Sequence, residues 1–175
     1  VVMLHGAGGQ ARHALGILQQ IADAEGFILL APDSRGSTWD VIVQNYGPDV
    51  AFIDQALAQV FERYAVDPAR VAIGGFSDGA SYALSLGIAN GDLFTHVLAF
   101  SPGFASPPAQ HGEPRIYVSH GTRDAVLPID PCSRSLVPRL QNAGYDVRYH
   151  EFDGPHTAPG DIAREAVEWF TAAPQ

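Results

Sequence analysis

These 175 residues contain one cysteine, Cys132, and no lysine. A lone cysteine can close no intrachain disulfide and build no cysteine-based zinc site. Without lysine there is no Schiff-base chemistry and no phosphate-gripping P-loop lysine, since all 10 basic residues are arginine. No apolar run approaches the ~18 residues that a membrane-spanning helix requires. Positive charge is scarce: 19 acidic side chains against 10 arginines give a net charge of −9 and a pI near 5.0. That balance argues against a nucleic-acid surface or an anionic membrane as partner. Charged residues make up only 17% of the chain and apolar residues 46%, the composition of a protein with a sizeable buried core. The length suits one domain, and residues 1–175 are expected to form it. The chain opens on Val1-Val2-Met3-Leu4, already strand-like and without an initiator methionine. Upstream residues are therefore expected to be missing. A cytoplasmic setting is expected over a secreted one, with an upstream signal peptide left open.

What is present is a regular alternation of apolar runs and helix-patterned stretches. The strand-like runs are Val1–Leu4, Phe27–Ala31, Val71–Ile73, His96–Phe100, Ile116–Val118 and Val147–Phe152. Between them lie a stretch with Leu15, Leu18 and Ile21 at helical spacing, stopped by Gly26, and an amphipathic segment opened by Pro48-Asp49. A helix from Cys132 to Ala143 is expected with Asp130 as N-cap and Pro131 at its first position. A closing helix is expected over Asp161 to Phe170. Asp33 to Gly47 and the proline-rich Ser101 to Pro114 read as loops. Such alternation predicts a mostly parallel, doubly wound α/β sheet of about six strands.

The organising stretch is Gly74-Gly75-Phe76-Ser77-Asp78-Gly79-Ala80, between an apolar strand and a helix. G-x-S-x-G in that setting is a nucleophile elbow: a sharp turn lifts the serine hydroxyl above the sheet, and the flanking glycines let strand and helix approach. The helix behind it aims N–H groups at the same spot. A serine hydroxyl needs a base, and the base needs an orienting carboxylate. In a doubly wound sheet such residues gather on loops at the carboxyl ends of strands. Two later loops supply them: Asp124 in His120-Gly121-Thr122-Arg123-Asp124, and His156 in Gly154-Pro155-His156. Asp130 reads better as a helix cap, and Asp153 lies in the base loop itself. The loop His5-Gly6-Ala7-Gly8-Gly9 follows the first strand and is suited to an oxyanion hole. The N–H groups of Ala7 and Asp78 are the expected donors, with Gly8 as substitute. Gly8, Trp39 and Phe104 are candidate substrate contacts, with Tyr46 beside them. His5 and His120, each before a glycine at a strand end, read as structural.

Taken together, these four segments resemble the α/β-hydrolases, most closely the small carboxylesterase, phospholipase and dienelactone-hydrolase branch. Leu4–Gly9 matches the oxyanion loop, Gly75–Gly79 the elbow, His120–Asp124 the acid loop and His156 the base loop. The resemblance covers essentially the whole chain and implies a serine carboxylesterase acting on small to medium acyl esters through Ser77, His156 and Asp124. It implies no metal or organic cofactor, a small-molecule ester as partner, and leaves a homodimer open. The usual two strands ahead of the oxyanion-loop strand are absent. The remaining six would lie in the order 2-1-3-4-5-6. The connection Ser101 to Glu113 is too short for a cap domain. Dienelactone hydrolases carry cysteine where this chain has Ser77, which disfavours that subtype. Position 78 is an aspartate where many relatives are neutral, and a carboxylate beside a developing oxyanion would oppose catalysis. A ligand-binding protein on the same fold and a thioesterase or peptidase are the alternative readings.

Overall fold

The computed structural model describes residues 1–43 and 45–172. Strands β1 (Val2–Leu4), β2 (Ala72–Phe76), β3 (His96–Phe100), β4 (Arg115–Gly121) and β5 (Val147–Phe152) form a parallel sheet in the order β1-β2-β3-β4-β5 among the described residues. The helices are α1 (Ala11–Glu25), α2 (Asp40–Val43), α3 (Pro48–Arg63), α4 (Asp78–Ala89), α5 (Ser133–Asn142) and α6 (Gly160–Thr171). Gly26 stops α1 in the left-handed conformation, with φ 71°.

The period of two along each strand sorts the core into two layers. Met3, Ala72, Leu98, Phe100 and Tyr117 pack with α1 and α6 on one face. Leu4, Ile73, Val97, Ala99, Ile116 and Val118 pack with α3, α4 and α5 on the other. Helix α4 is buried along its whole length, Gly79 to Ala89, so it has no solvent face and little amphipathic pattern.

Two expectations change. Phe27–Ala31 is no strand in the sheet: only Leu30 makes a parallel bridge, to Val2, with its N–H donating to the Val1 carbonyl at 2.9 Å. It keeps the expected position outside β1, but a segment paired on one side for one residue forms no ladder. The sheet therefore has five strands where six were expected. Second, α5 begins at Ser133 with Cys132 at its cap. Asp130 stands outside the helix, where its carboxylate accepts from Arg134 Nη1 at 2.9 Å.

Asp33–Gly47 contains the short helix α2, and two buried carboxylates brace it. Asp49 accepts the backbone N–H groups of Arg35 (2.6 Å) and Asp40 (2.7 Å). Asp40 accepts those of Gly47 (2.8 Å) and Asp49 (3.0 Å). Asp49 is 1% exposed, so Asp49→Ala strands two backbone donors, that of Asp40 buried and that of Arg35 partly so. Each costs about 1–3 kcal/mol. The variant is expected to lose about 3 kcal/mol in urea unfolding and about 9 °C in Tm. A loss below about 1 kcal/mol would mean that water replaces the carboxylate.

Candidate active site

Ser77 sits at the turn between β2 and α4 with φ 57° and ψ −121°, in the left-handed half of backbone space, where a non-glycine residue is strained. Its N–H donates to the Phe100 carbonyl at 3.0 Å, and its own carbonyl accepts from Ala80 (2.9 Å) and Ser81 (3.1 Å). The flanking glycines are required by contact. A Cβ on Gly75 would overlap the Gly79 carbonyl, and one on Gly79 would overlap the carbonyls of Leu4 and His5. The elbow thus lies directly against the loop that follows β1.

His156 and Asp124 converge on this serine from the loops after β5 and β4. Ser77 Oγ and His156 Nε2 are 2.9 Å apart, and His156 Nδ1 lies 2.5 Å from Asp124 Oδ2. The other carboxylate oxygen, Oδ1, accepts the N–H groups of Val126 (2.9 Å) and Leu127 (2.8 Å). Burial pushes the Asp124 carboxyl up, but hydrogen bonds from His156, Leu127 and Val126 outweigh it and hold the group below the ordinary carboxylate range. The Phe76 ring packs on the imidazole of His156, centroids 4.7 Å apart, and screens it from one side. Ser101, a second non-glycine residue with positive φ (53°), donates from Oγ to the Thr157 carbonyl at 3.3 Å and ties the base loop to the end of β3.

The loop after β1 presents Ala7 and Gly8 at the surface. The Gly8 N–H is taken by the Ser37 carbonyl at 2.8 Å, so Gly8 is not a substitute oxyanion donor. Among the described residues, the N–H groups of Ala7 and Asp78 have no acceptor. His5 shapes this turn from beneath: Ser34 N–H donates to Nε2 at 3.1 Å, so the ring proton is on Nδ1, which donates to the Gly6 carbonyl at 2.8 Å. The Asp78 carboxylate is tied down by Thr38, whose Oγ1 donates to Oδ2 at 2.6 Å.

The expected substrate contacts divide. Phe104, 37% exposed, stands on the loop after β3, which Ser81 Oγ fixes by accepting the N–H groups of Gly103 (2.9 Å) and Phe104 (3.4 Å). Trp39 offers no surface to a substrate. It is 0% exposed, stacked between His5 and Tyr82, and its indole N–H donates to the His5 carbonyl at 2.7 Å. An indole packed there supports the turn after β1. Tyr46 donates to the Ser106 carbonyl and joins the two loops beside the site. Thr38, Ser81, Phe76 and the exposed Val126 are additions. Phe76 alone had a local signal, its place within the elbow.

A parallel sheet with a strained serine at a strand–helix turn, and with every converging loop at its carboxyl edge, defines an α/β-hydrolase. The chain belongs to the phospholipase/carboxylesterase family, whose profile matches residues 40–170. It is 35% identical over 104 residues to feruloyl esterase C of Emericella nidulans, a match covering 59% of this chain and 37% of that protein. It is 32% identical over 170 residues to the putative esterase NocK of Nocardia uniformis subsp. tsuyamanensis, covering 91% of this chain and 43% of that protein. The chain thus spans less than half the length of these relatives. The crystal structure of esterase PE8 superposes with a TM-score of 0.76 at 23% identity, covering 96% of this chain and 89% of that one. Among the described residues, no helix is long and apolar enough to cross a membrane.

Proposed function

We propose that this protein is a serine carboxylesterase, working as one domain over residues 1–175. The observation that carries the reading is the unbroken chain Ser77 Oγ–His156 Nε2 at 2.9 Å and His156 Nδ1–Asp124 Oδ2 at 2.5 Å. Ser77 Oγ attacks the ester carbonyl as its proton passes to His156 Nε2. The carbonyl oxygen becomes an oxyanion held by the N–H groups of Ala7 and Asp78. Collapse of the tetrahedral intermediate breaks the C–O bond to the alcohol, which leaves with the proton from Nε2. Water then attacks the acyl-enzyme, giving its proton to His156, and Ser77 departs with that proton as the acid is released. Asp124 keeps the imidazole in the Nδ1–H tautomer and balances the imidazolium. Thr38 holds the Asp78 carboxylate through a 2.6 Å hydrogen bond that takes up part of its charge.

Small to medium esters fit a site with no large insertion between β3 and β4. The feruloyl esterase among the relatives extends the substrate class to aromatic acyl esters, with Phe104 and Val126 as exposed apolar side chains on the loops after β3 and β4. The test is hydrolysis of p-nitrophenyl acetate, butyrate and octanoate and of methyl ferulate, with a fluorophosphonate adduct mapped by mass spectrometry. Turnover with the label on Ser77 is the expected result. A folded protein that neither turns over nor takes label would leave a ligand-binding protein on this fold.

A further inference from the structure

A second imidazole lies against the Asp124 carboxylate, close to the oxygen that meets His156. His120, the penultimate residue of β4, is 0% exposed, and its Nε2 lies 3.1 Å from Asp124 Oδ2, the oxygen that also meets His156. The same nitrogen lies 2.8 Å from the Leu127 carbonyl. A carbonyl only accepts, so Nε2 carries the proton and donates it to Leu127, with Asp124 Oδ2 in close electrostatic contact beside it. Nδ1 is 2.6 Å from Oγ of Ser133, the first residue of α5. Burial pushes the His120 imidazole down, against the pull of the Leu127 carbonyl and the Asp124 charge. The neutral ring therefore accepts the Ser133 hydroxyl proton at Nδ1. Asp124 thus accepts from Val126 and Leu127 at Oδ1 and from His156 at Oδ2, where the Nε2–H dipole of His120 also lies 3.1 Å away. Hydrogen bonding runs from Ser133 at the start of α5 through His120 to Leu127, whose own N–H donates to Asp124.

We propose that His120 is a positioning residue of this site. Through Nε2–H it holds the Leu127 carbonyl, and with it the N–H that Leu127 donates to Asp124, and it sets a positive dipole 3.1 Å from Oδ2. Through Ser133 it fastens this loop to α5. This rests on the triad reading above and adds two residues to it. A buried carboxylate held on one side only can tilt, and a misplacement of this kind is costly out of proportion to its size. An Nε2–H donor also draws negative charge away from His156, so its loss lets Asp124 grip the imidazolium more tightly. The other ionisable groups around His120 are Glu151, its register partner on β5, which is held by Arg134 at 2.6 Å, and Cys132 beside Asp124.

The test compares His120→Gln, whose amide nitrogen reaches the Nε2 position, with His120→Asn, which can face Ser133 but not Asp124, and with His120→Phe, which can do neither. Rates are taken per fluorophosphonate-titrated site, so partly unfolded protein is not counted. His120→Asn and His120→Phe are expected to lose about 10- to 100-fold in kcat with KM within about two-fold, and His120→Gln less than about three-fold. In the two impaired variants the acidic limb of the kcat/KM profile should move up by about half a pH unit. Equal losses in the Gln and Asn variants, full activity in Asn, or a fixed or lowered acidic limb would each overturn the proposal. If Phe does not fold, the Asn and Gln pair decides. The proton between His156 and Asp124 is also read by NMR without turnover. A changed resonance in Asn but not Gln supports the inference even where the wild type proves inactive, an inactivity that sinks the triad reading instead; a resonance unchanged in both refutes the inference.

Discussion

Ser77→Ala is expected to lower kcat/KM for p-nitrophenyl butyrate by about 10⁵-fold while leaving the melting transition in place. The side chain contributes a hydroxyl and almost no packing: among the described residues, the one hydrogen bond of Ser77 Oγ is to His156 Nε2. What remains after its loss is binding by the oxyanion turn, which does not form an acyl-enzyme. Ser77→Gly sharpens the experiment. Glycine tolerates φ 57°, where a Cβ costs about 1–3 kcal/mol, so this inactive variant should melt several degrees above the wild type. Loss of activity coupled to a gain in stability is what a strained nucleophile predicts. Turnover above about 1% of wild type in the alanine variant would place the chemistry on another residue, because removing a serine nucleophile costs about 10³- to 10⁶-fold in rate.

The second large effect is on folding. Gly75→Ala puts a methyl group into the Gly79 carbonyl, a backbone atom that cannot rotate away. Strand and helix must then separate at the elbow, and α4, buried along its length between β2 and β3, carries the disturbance into the core. The expected cost exceeds about 4 kcal/mol, seen as insoluble expression or a Tm drop of more than about 10 °C. Gly16→Ala in α1 is the control. No heavy atom lies within 4 Å of a Cβ there, and alanine is the better helix former, so a gain of up to about 1 kcal/mol is expected. Similar melting curves for the two variants would show that contact at the elbow is unimportant.

The parts of the fold legible in the sequence are those that depend on local pattern. His96–Phe100 and Val147–Phe152 have the same bounds in the sequence reading and in the structure: the first is a mostly apolar run, and the second, Val-Arg-Tyr-His-Glu-Phe, is a mixed segment set between Gly144 and Gly154. Ser77, Asp124 and His156 were each marked by a short motif at a strand end, and hydrogen bonds now join them. What the sequence hid is set by partners distant along the chain. Phe27–Ala31 has the composition of a strand, and only the lack of a ladder on both sides leaves it with a single bridge. Trp39 on a polar loop gives no sign of whether its ring faces solvent or, as here, the underside of the turn after β1. Thr38 and Asp78 are 40 residues apart, so the tether on the charge next to Ser77 is invisible until the loop closes. Asp40 and Asp49 look like solvent-exposed acids and are buried acceptors for backbone groups.

The sheet order β1-β2-β3-β4-β5 also says when during folding this site can exist. The Ser77–His156 bond closes 79 residues of chain and the Asp124–His156 bond 32, and His156 follows the last strand. Non-local pairings of this kind form late, after the entropy of closing long loops has been met. During synthesis Ser77, its turn and the loop of Asp124 can all emerge while His156 is still inside the ribosome. A refolding chain should therefore recover its far-ultraviolet circular dichroism before its reactivity towards fluorophosphonate. The lag between the two signals times the docking of β5 and α6.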